Sequence, residues 1–381
     1  MIVRGKIPGA ESVVDIVMEK AKIVRMDPYR KGSRSDFGGT SFYVSSGFFD
    51  PQVNGLAGVD FNSPRLVPEG LHHVALSLAS TGVTRFLPTL ITSSHARTVC
   101  QLKILADTIR QDPLFRKMCL GIHLEGPYIS PEDGPRGAHL REFVRPPRWE
   151  ELEKFQGACE GRIKLVTLAP ELEGAIPFIE RAVTHGIVIG VGHTQATEED
   201  LERAIRAGAR LSCHLGNAPS ARFPLYRNLI EKQLATDELM ASLIVDGIHL
   251  SPDVVRNYVR AKGINRIVLT TDSMAGAGAS PGRYTLGDQE VEVTPDGTAR
   301  SVTTSRLAGS TLTMDRAIAN VILFSGVDLA SAIRMTAENG QELFPEMRGE
   351  MISGASADLV LFEYQKGLTV RSTWIEGEKI F

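Results

Sequence analysis

Eight times along this chain a short β-rich apolar run ends in polar or glycine-containing residues and gives way to a helical stretch. The runs are GFFDPQVNG (47–55), VTRFLPTL (83–90), CLGIHLEGP (119–127), RIKLVTLAPE (162–171), IVIGVGHT (187–194), ARLSCHLGN (209–217), MASLIVDGIHL (240–250) and NRIVLTTDSM (265–274). Strand–helix alternation builds parallel βαβ units. Eight of them in one chain imply an α/β fold closed as a (β/α)8 TIM barrel. A doubly wound open sheet is the competitor, and no G-x-G-x-x-G follows the first run to support it. Two helices carry their own boundaries. Residues 197–208 open with Thr197 as N-cap and acids in the first turn, and stop at Gly208. Residues 251–263 have Ser251 as N-cap, Pro252 at the first helical position and Gly263 as the stop.

Outside the alternation the pattern changes. Residues 1–46 and 345–381 read as short strands with turn residues, neither long enough for a core of its own. They are expected to form one small β-sandwich domain beside a catalytic barrel of residues 47–344. Net charge is −3 with no run of like charges, which argues against a nucleic-acid or membrane surface. No apolar stretch is long enough to span a bilayer, and the N-terminus lacks the pattern of a signal peptide. Four cysteines without paired spacing read as reduced thiols, so a cytoplasmic location is expected.

Active sites of such barrels form at the C-terminal strand ends. Here those ends carry Gln52 and Asn54, Glu125, His193, His214, His249 and Asp272. A lone strand histidine is more often a hydrogen-bonded core residue, and a terminal aspartate is often a helix cap. Recurrence on successive strand ends is what those readings leave unexplained. Glu125, His193 and His214 form a His₂Glu set, the donor pattern of a catalytic zinc site with an open position. Such an ion lowers the pKa of bound water towards about 7. Asp272, ionised beside a cation, fits the general base. His123 shares the face of Glu125 and reads as a structural or supporting residue. Gln52 and Asn54, two apart on a strand, point to one place, yet amides are poor metal ligands and poor bases.

At these residues the sequence resembles the amidohydrolase superfamily, and within it the N-acetylglucosamine-6-phosphate deacetylase family. The likeness rests on GFFDPQVNGLAGVDFN, GIHLEGPYIS with the later GAH, VGHT, CHLGNA, VDGIHL, TTDSMAGAG and LAGSTLTMD, in family order and over nearly the whole barrel. The resemblance implies hydrolysis of the acetamide of an N-acetylhexosamine phosphate to acetate and the amino sugar phosphate. It makes Glu125, His193 and His214 the metal ligands, Asp272 the catalytic acid/base, and His139 the group that helps polarise the carbonyl. Asn217 and Ala218 become a substrate-binding pair, and Leu307, Ala308 and Gly309 a loop at the acetyl end. His249 becomes a residue reaching a neighbouring subunit's site, which implies a homodimer. One divalent metal per chain is expected, Zn2+ first, with Fe2+ or Mn2+ accepted by the same donors. Gln52 and Asn54 stand where many relatives have His-x-His and a second metal, so Glu125 is expected as a terminal ligand. One position departs from the family: Leu225 occupies the place of the phosphate-binding arginine. Arg222 and Arg227 flank it, either as phosphate contacts or as solvated loop charges. Another amidohydrolase, acting on an unphosphorylated N-acyl sugar, an N-acyl amino acid or a cyclic amide, is the alternative. Its enzymes often carry a bridging lysine on the fourth strand, whereas Lys164 lies early in that run. A non-catalytic binding barrel would be expected to lack the ligands or the base.

Overall fold

The computed structural model describes residues 1–10, 12–218, 227–347 and 350–381. Eight parallel strands follow one another in a single sheet: Phe48–Val53, Val83–Ile91, Ile122–Glu125, Ile163–Leu168, Val188–Val191, Leu211–Ser212, Met240–Leu243 and Ile267–Leu269. Each falls within or overlaps one of the runs read from the sequence. The eighth returns to the first through a parallel bridge between Val53 and Ser273. There Asn54 N–H donates to the Ser273 carbonyl at 2.8 Å. Asp50 reinforces the seam, accepting from Thr270 Oγ1 at 3.1 Å, Thr271 N at 3.2 Å and Thr271 Oγ1 at 2.5 Å. The sheet therefore closes into a barrel, and the open-sheet alternative falls.

One end of the barrel is plugged. Phe49, Leu87, Leu165, Leu211, Met240 and Val268, each from a different strand, pack with Leu343, Phe344 and Met347 from the segment after the last helix. The Phe49 and Phe344 rings meet edge to face at 5.6 Å. A polar layer follows in which His123 sits between Thr89 Oγ1 at 3.3 Å and Thr167 Oγ1 at 2.8 Å. Burial pushes the His123 imidazole down to about 4, which keeps it neutral and structural. Chemistry is left to the C-terminal face.

Outer helices start and stop as their sequences dictate. Thr197 and Asp200 form a reciprocal capping box on Glu198–Ala207, which ends at left-handed Gly208. Ser251 caps Pro252–Lys262, and Gly263 follows it. No helix among the described residues is long and apolar enough to cross a membrane.

Beside the barrel lies a seven-stranded sheet built from both chain ends. Ile2–Lys6, Val13–Glu19, Lys22–Pro28 and Phe37–Ser46 join Leu359–Tyr364, Leu368–Ile375 and Glu378–Lys379. Both chain ends thus contribute to one continuous sheet. Its outer N-terminal strand returns to the C-terminal segment, where Ile23 N–H donates to Ala355 O at 3.0 Å and Gly354 N–H to Ile23 O at 2.8 Å. The fold encloses a core that includes Val3, Ile16, Val44, Leu359 and Trp374.

A further element was not anticipated. Between the eighth strand and the helix Met314–Ser325, strands Gly282–Leu286, Gln289–Val293 and Ala299–Ser301 form a small antiparallel sheet. The first two are joined by Gly287 and Asp288, with Gly287 at φ 63. Two alternating runs around a Gly-Asp pair signal a hairpin. Asp60 Oδ2 ties the turn to the barrel, accepting from Gly287 N at 2.9 Å and Thr285 Oγ1 at 3.0 Å.

Candidate active site

Just past the fifth, sixth and eighth strands the backbone bends sharply. His193, His214 and Asp272 have φ of 49, 30 and 49, the left-handed region that side chains with a Cβ seldom adopt. Ala218 shares this at φ 44. Strain of this kind collects at functional sites. It gathers here on residues singled out from the sequence for chemistry.

Glu125 closes the third strand. Its Oε1 lies 3.1 Å from His193 Nε2 and 2.7 Å from His214 Nε2. One donor atom from each of the three residues lies within 4.8 Å of the others, and all three are buried. His193 Nδ1 faces the Pro135 carbonyl at 2.9 Å. A carbonyl only accepts, so Nδ1 carries a hydrogen and Nε2 is the ring nitrogen that faces Glu125. Burial works to raise the Glu125 carboxyl, but the hydrogen bonds and charges of His193 and His214 outweigh it and hold it well below the usual range. An ionised carboxylate and convergent imidazole nitrogens suit a divalent cation with an open position.

Asp272 stands across the barrel mouth, held by the amide pair of the first strand. Gln52 Nε2 donates to Asp272 Oδ1 at 2.9 Å and Asn54 Nδ2 to the same oxygen at 2.7 Å. The Cys213 thiol donates to Gln52 Oε1 at 3.2 Å, which turns the Gln52 amide hydrogens towards Asp272. Burial, then the nearby Glu125 charge, pushes the Asp272 carboxyl up to about 6, opposed by His214, His249 and Asn54. Donation from Asn54 favours the charged form. Replacing Asn54 with alanine is therefore expected to raise the Asp272 pKa. A base must be ionised, so the acid limb of kcat/KM should move to higher pH. A pH–rate profile checks this, and an unmoved limb would separate the amide from the carboxylate.

His139 enters from a loop. Its Nδ1 lies 2.9 Å from Thr92 Oγ1 and its Nε2 3.3 Å from His193 Nε2. Burial first, then the His193 charge, pushes the imidazole down to about 3. His249 Nδ1 pairs with Asp246 Oδ2 at 2.6 Å. Its Nε2 is buried without a partner among the described residues.

These groups share one pocket of about 380 Å³. Its lining includes Asn54, Glu125, His139, His193, His249 and Asp272, with Asn217 and Ala218 on one loop and Leu307, Ala308 and Gly309 on another. His249 lines the pocket of its own chain. Arg227 is exposed and does not line the pocket. Arg222 and Leu225 lie outside the described residues. The sequence reading missed Ile91, Leu286, Gln289 and Arg306, which also line it. Leu286 and Gln289 flank the Gly-Asp turn, so the hairpin signal was the clue to both.

Fold and site together define a hydrolase of the (β/α)8 barrel class whose strand-end cluster of Glu125, His193 and His214 could hold a divalent cation. The family model "Amidohydrolase family" matches residues 43–380. The chain belongs to the amidohydrolase family, and within it to the N-acetylglucosamine-6-phosphate deacetylases. It is 35% identical over 361 residues to the N-acetylglucosamine-6-phosphate deacetylase of Bos taurus, covering 89% of this chain and 83% of that protein. The enzyme of the same name from Lysinibacillus sphaericus is 30% identical over 362 residues, covering 93% and 90%. Among solved structures, a mutant N-acetyl-D-glucosamine-6-phosphate deacetylase from Mycobacterium smegmatis in complex with N-acetyl-D-glucosamine-6-phosphate superposes with a TM-score of 0.90 at 27% identity, covering 100% of this chain and 99% of that one.

Proposed function

We propose that this protein hydrolyses the acetamide of N-acetylglucosamine 6-phosphate, or of a close N-acetylhexosamine phosphate, to acetate and the amino sugar phosphate. The observation that carries the reading is the buried Glu125–His193–His214 cluster facing Asp272 across one pocket. Glu125, His193 and His214 would hold one Zn2+, with Glu125 as a terminal ligand. Such a cation, when bound, supplies Lewis acidity to the amide carbonyl and to water. Asp272 takes a proton from the attacking water and delivers it to the leaving nitrogen. Gln52 and Asn54 occupy its Oδ1 and leave Oδ2 for that transfer. A hydrogen bond from Thr92 to Nδ1 would leave neutral His139 with a hydrogen on Nε2 for the developing oxyanion. Leu307, Ala308 and Gly309 enclose the acetyl group. Asn217, Ala218 and the Nε2 of His249 bind the sugar. Four free cysteines suit a cytoplasmic enzyme, and we place it there as a homodimer, with Arg222 or Arg227 as the phosphate contact.

A second reading has one observation in its favour. Among the described residues lining the pocket Arg306 is the only arginine or lysine, and it already donates to Gly137 O at 2.8 Å. An unphosphorylated N-acyl sugar would need no further cation. Acetate release from N-acetylglucosamine 6-phosphate and from the unphosphorylated sugar, by metal-replete protein, separates the two. Preference for the phosphorylated sugar is expected. Preference for the free sugar would favour the second reading, and turnover of neither would end both.

A further inference from the structure

Three successive backbone carbonyls around His139 are each held by a different side chain. Gly137 O accepts from Arg306 Nη1 at 2.8 Å, Ala138 O from Gln289 Nε2 at 2.5 Å, and His139 O from Arg136 Nη1 at 2.9 Å. The loop carrying them, Gly134–His139, has no strand ladder or helix to fix it. Gly137 sits at φ 59, and a Cβ there would lie 3.1 Å from His193 Cε1, so the loop is glycine-bound and pressed against His193. Carbonyls withdrawn from water need donors, and these three are part-buried. Arg136 belongs to the loop itself, but Gln289 and Arg306 come from and just beyond the three-stranded insert.

The insert is itself anchored. Asp60 grips its turn, as described above, and Arg97 Nη1 reaches Asp288 Oδ1 at 3.0 Å. Gln289 is buried, and Ser301 Oγ donates to its Oε1 at 3.3 Å, which leaves Nε2 to face Ala138. Arg306 is further steadied by Asp133 at 3.4 Å. A rigid path thus runs from the barrel wall through the hairpin to the residues immediately before His139. Both side chains line the pocket, yet their observed donors turn to this loop, that of Gln289 to a backbone carbonyl and those of Arg306 to a backbone carbonyl and Asp133.

We propose that Gln289 and Arg306 are positioning residues for His139, through which the insert between the eighth strand and its helix sets the orientation of that imidazole. The proposal rests on the reading of His139 as a group that acts on the amide. A misplacement of about 1 Å in a reacting geometry costs up to about a hundredfold in rate. Replacing Gln289 with leucine, which fills the space without the donor, is expected to lower kcat about tenfold or more, with KM far less affected. In a His139→Ala background the same change should have little further effect, because residues that act as a unit are non-additive. Amide hydrogen exchange at residues 137–139 should accelerate in the Gln289→Leu protein, with or without metal. Arg306→Lys, which keeps a donor, should retain more turnover than Arg306→Leu. That pair carries the same comparison if Gln289→Leu does not fold.

Equal loss in both backgrounds, a rise in KM alone, or unchanged exchange at 137–139 would overturn the proposal. Full turnover by His139→Ala would instead remove the assigned role of His139, and the exchange measurement would still decide whether the clamp exists.

Discussion

Replacing Asp272 with asparagine should lower kcat by about a hundredfold to ten-thousandfold, the usual contribution of a positioned proton-transfer group. The substitution is nearly isosteric. An asparagine oxygen can still accept from Gln52 and Asn54, so the strand end need not rearrange. What it removes is the capacity to hold and release a proton. KM should change much less than kcat, because an interaction made mainly in the transition state is lost. Metal content should stay as in the parent, since Asp272 is not one of the three clustered ligands. Steady-state kinetics with metal analysis of the same sample checks all three statements. A variant that keeps most of its turnover would take Asp272 out of the chemistry. A variant that loses its metal would make it a ligand instead.

Much of this arrangement could be read from the chain. The eight strands were legible because each is a short apolar run that ends abruptly in polar residues. Strand ends of a parallel barrel all open on one face. Glu125, His193, His214 and Asp272 were legible for the same reason, since they end or closely follow the third, fifth, sixth and eighth strands. The left-handed backbone of His193, His214 and Asp272 was not, because no local pattern in His-Thr, His-Leu or Asp-Ser announces a positive φ. Gln52 and Asn54 were visible as a pair, but their target was hidden. Asp272 lies 220 and 218 residues away, and it meets them only because the barrel closes between its first and last strands.

His139 shows the opposite case. It sits on a loop without periodicity, and only the resemblance of GAH to a family motif pointed to it. The structure shows three hydrogen-bonded carbonyls before and at that residue. Asp246 holds His249 in the pocket of its own chain. Ile248 N and His249 N both donate to Asp246 Oδ1 at 2.8 Å while the imidazole pairs with Oδ2. That local turn is the kind aspartate makes with the backbone that follows it, and VDGIHL contains its residues in order.

The amide pair at the first strand end bears on metal number. Gln52 and Asn54 are donors to Asp272 and bring no ionised or imidazole group to a second cation. The described residues contain one His/Cys/Asp/Glu cluster that fits a cation, that of Glu125, His193 and His214. Removing the metal should therefore abolish acetate release, and one ion per chain should restore it. A His193→Ala protein should take up little metal and stay inactive, since one of three ligands is gone while Glu125 keeps only His214 as a partner. Titrating metal-free protein with Zn2+ while recording acetate release from N-acetylglucosamine 6-phosphate is the most direct test. The expected curve rises from no activity and saturates at one equivalent per chain. Acetate release without metal, or activity that keeps rising to a second equivalent, would contradict a single-cation site facing Asp272.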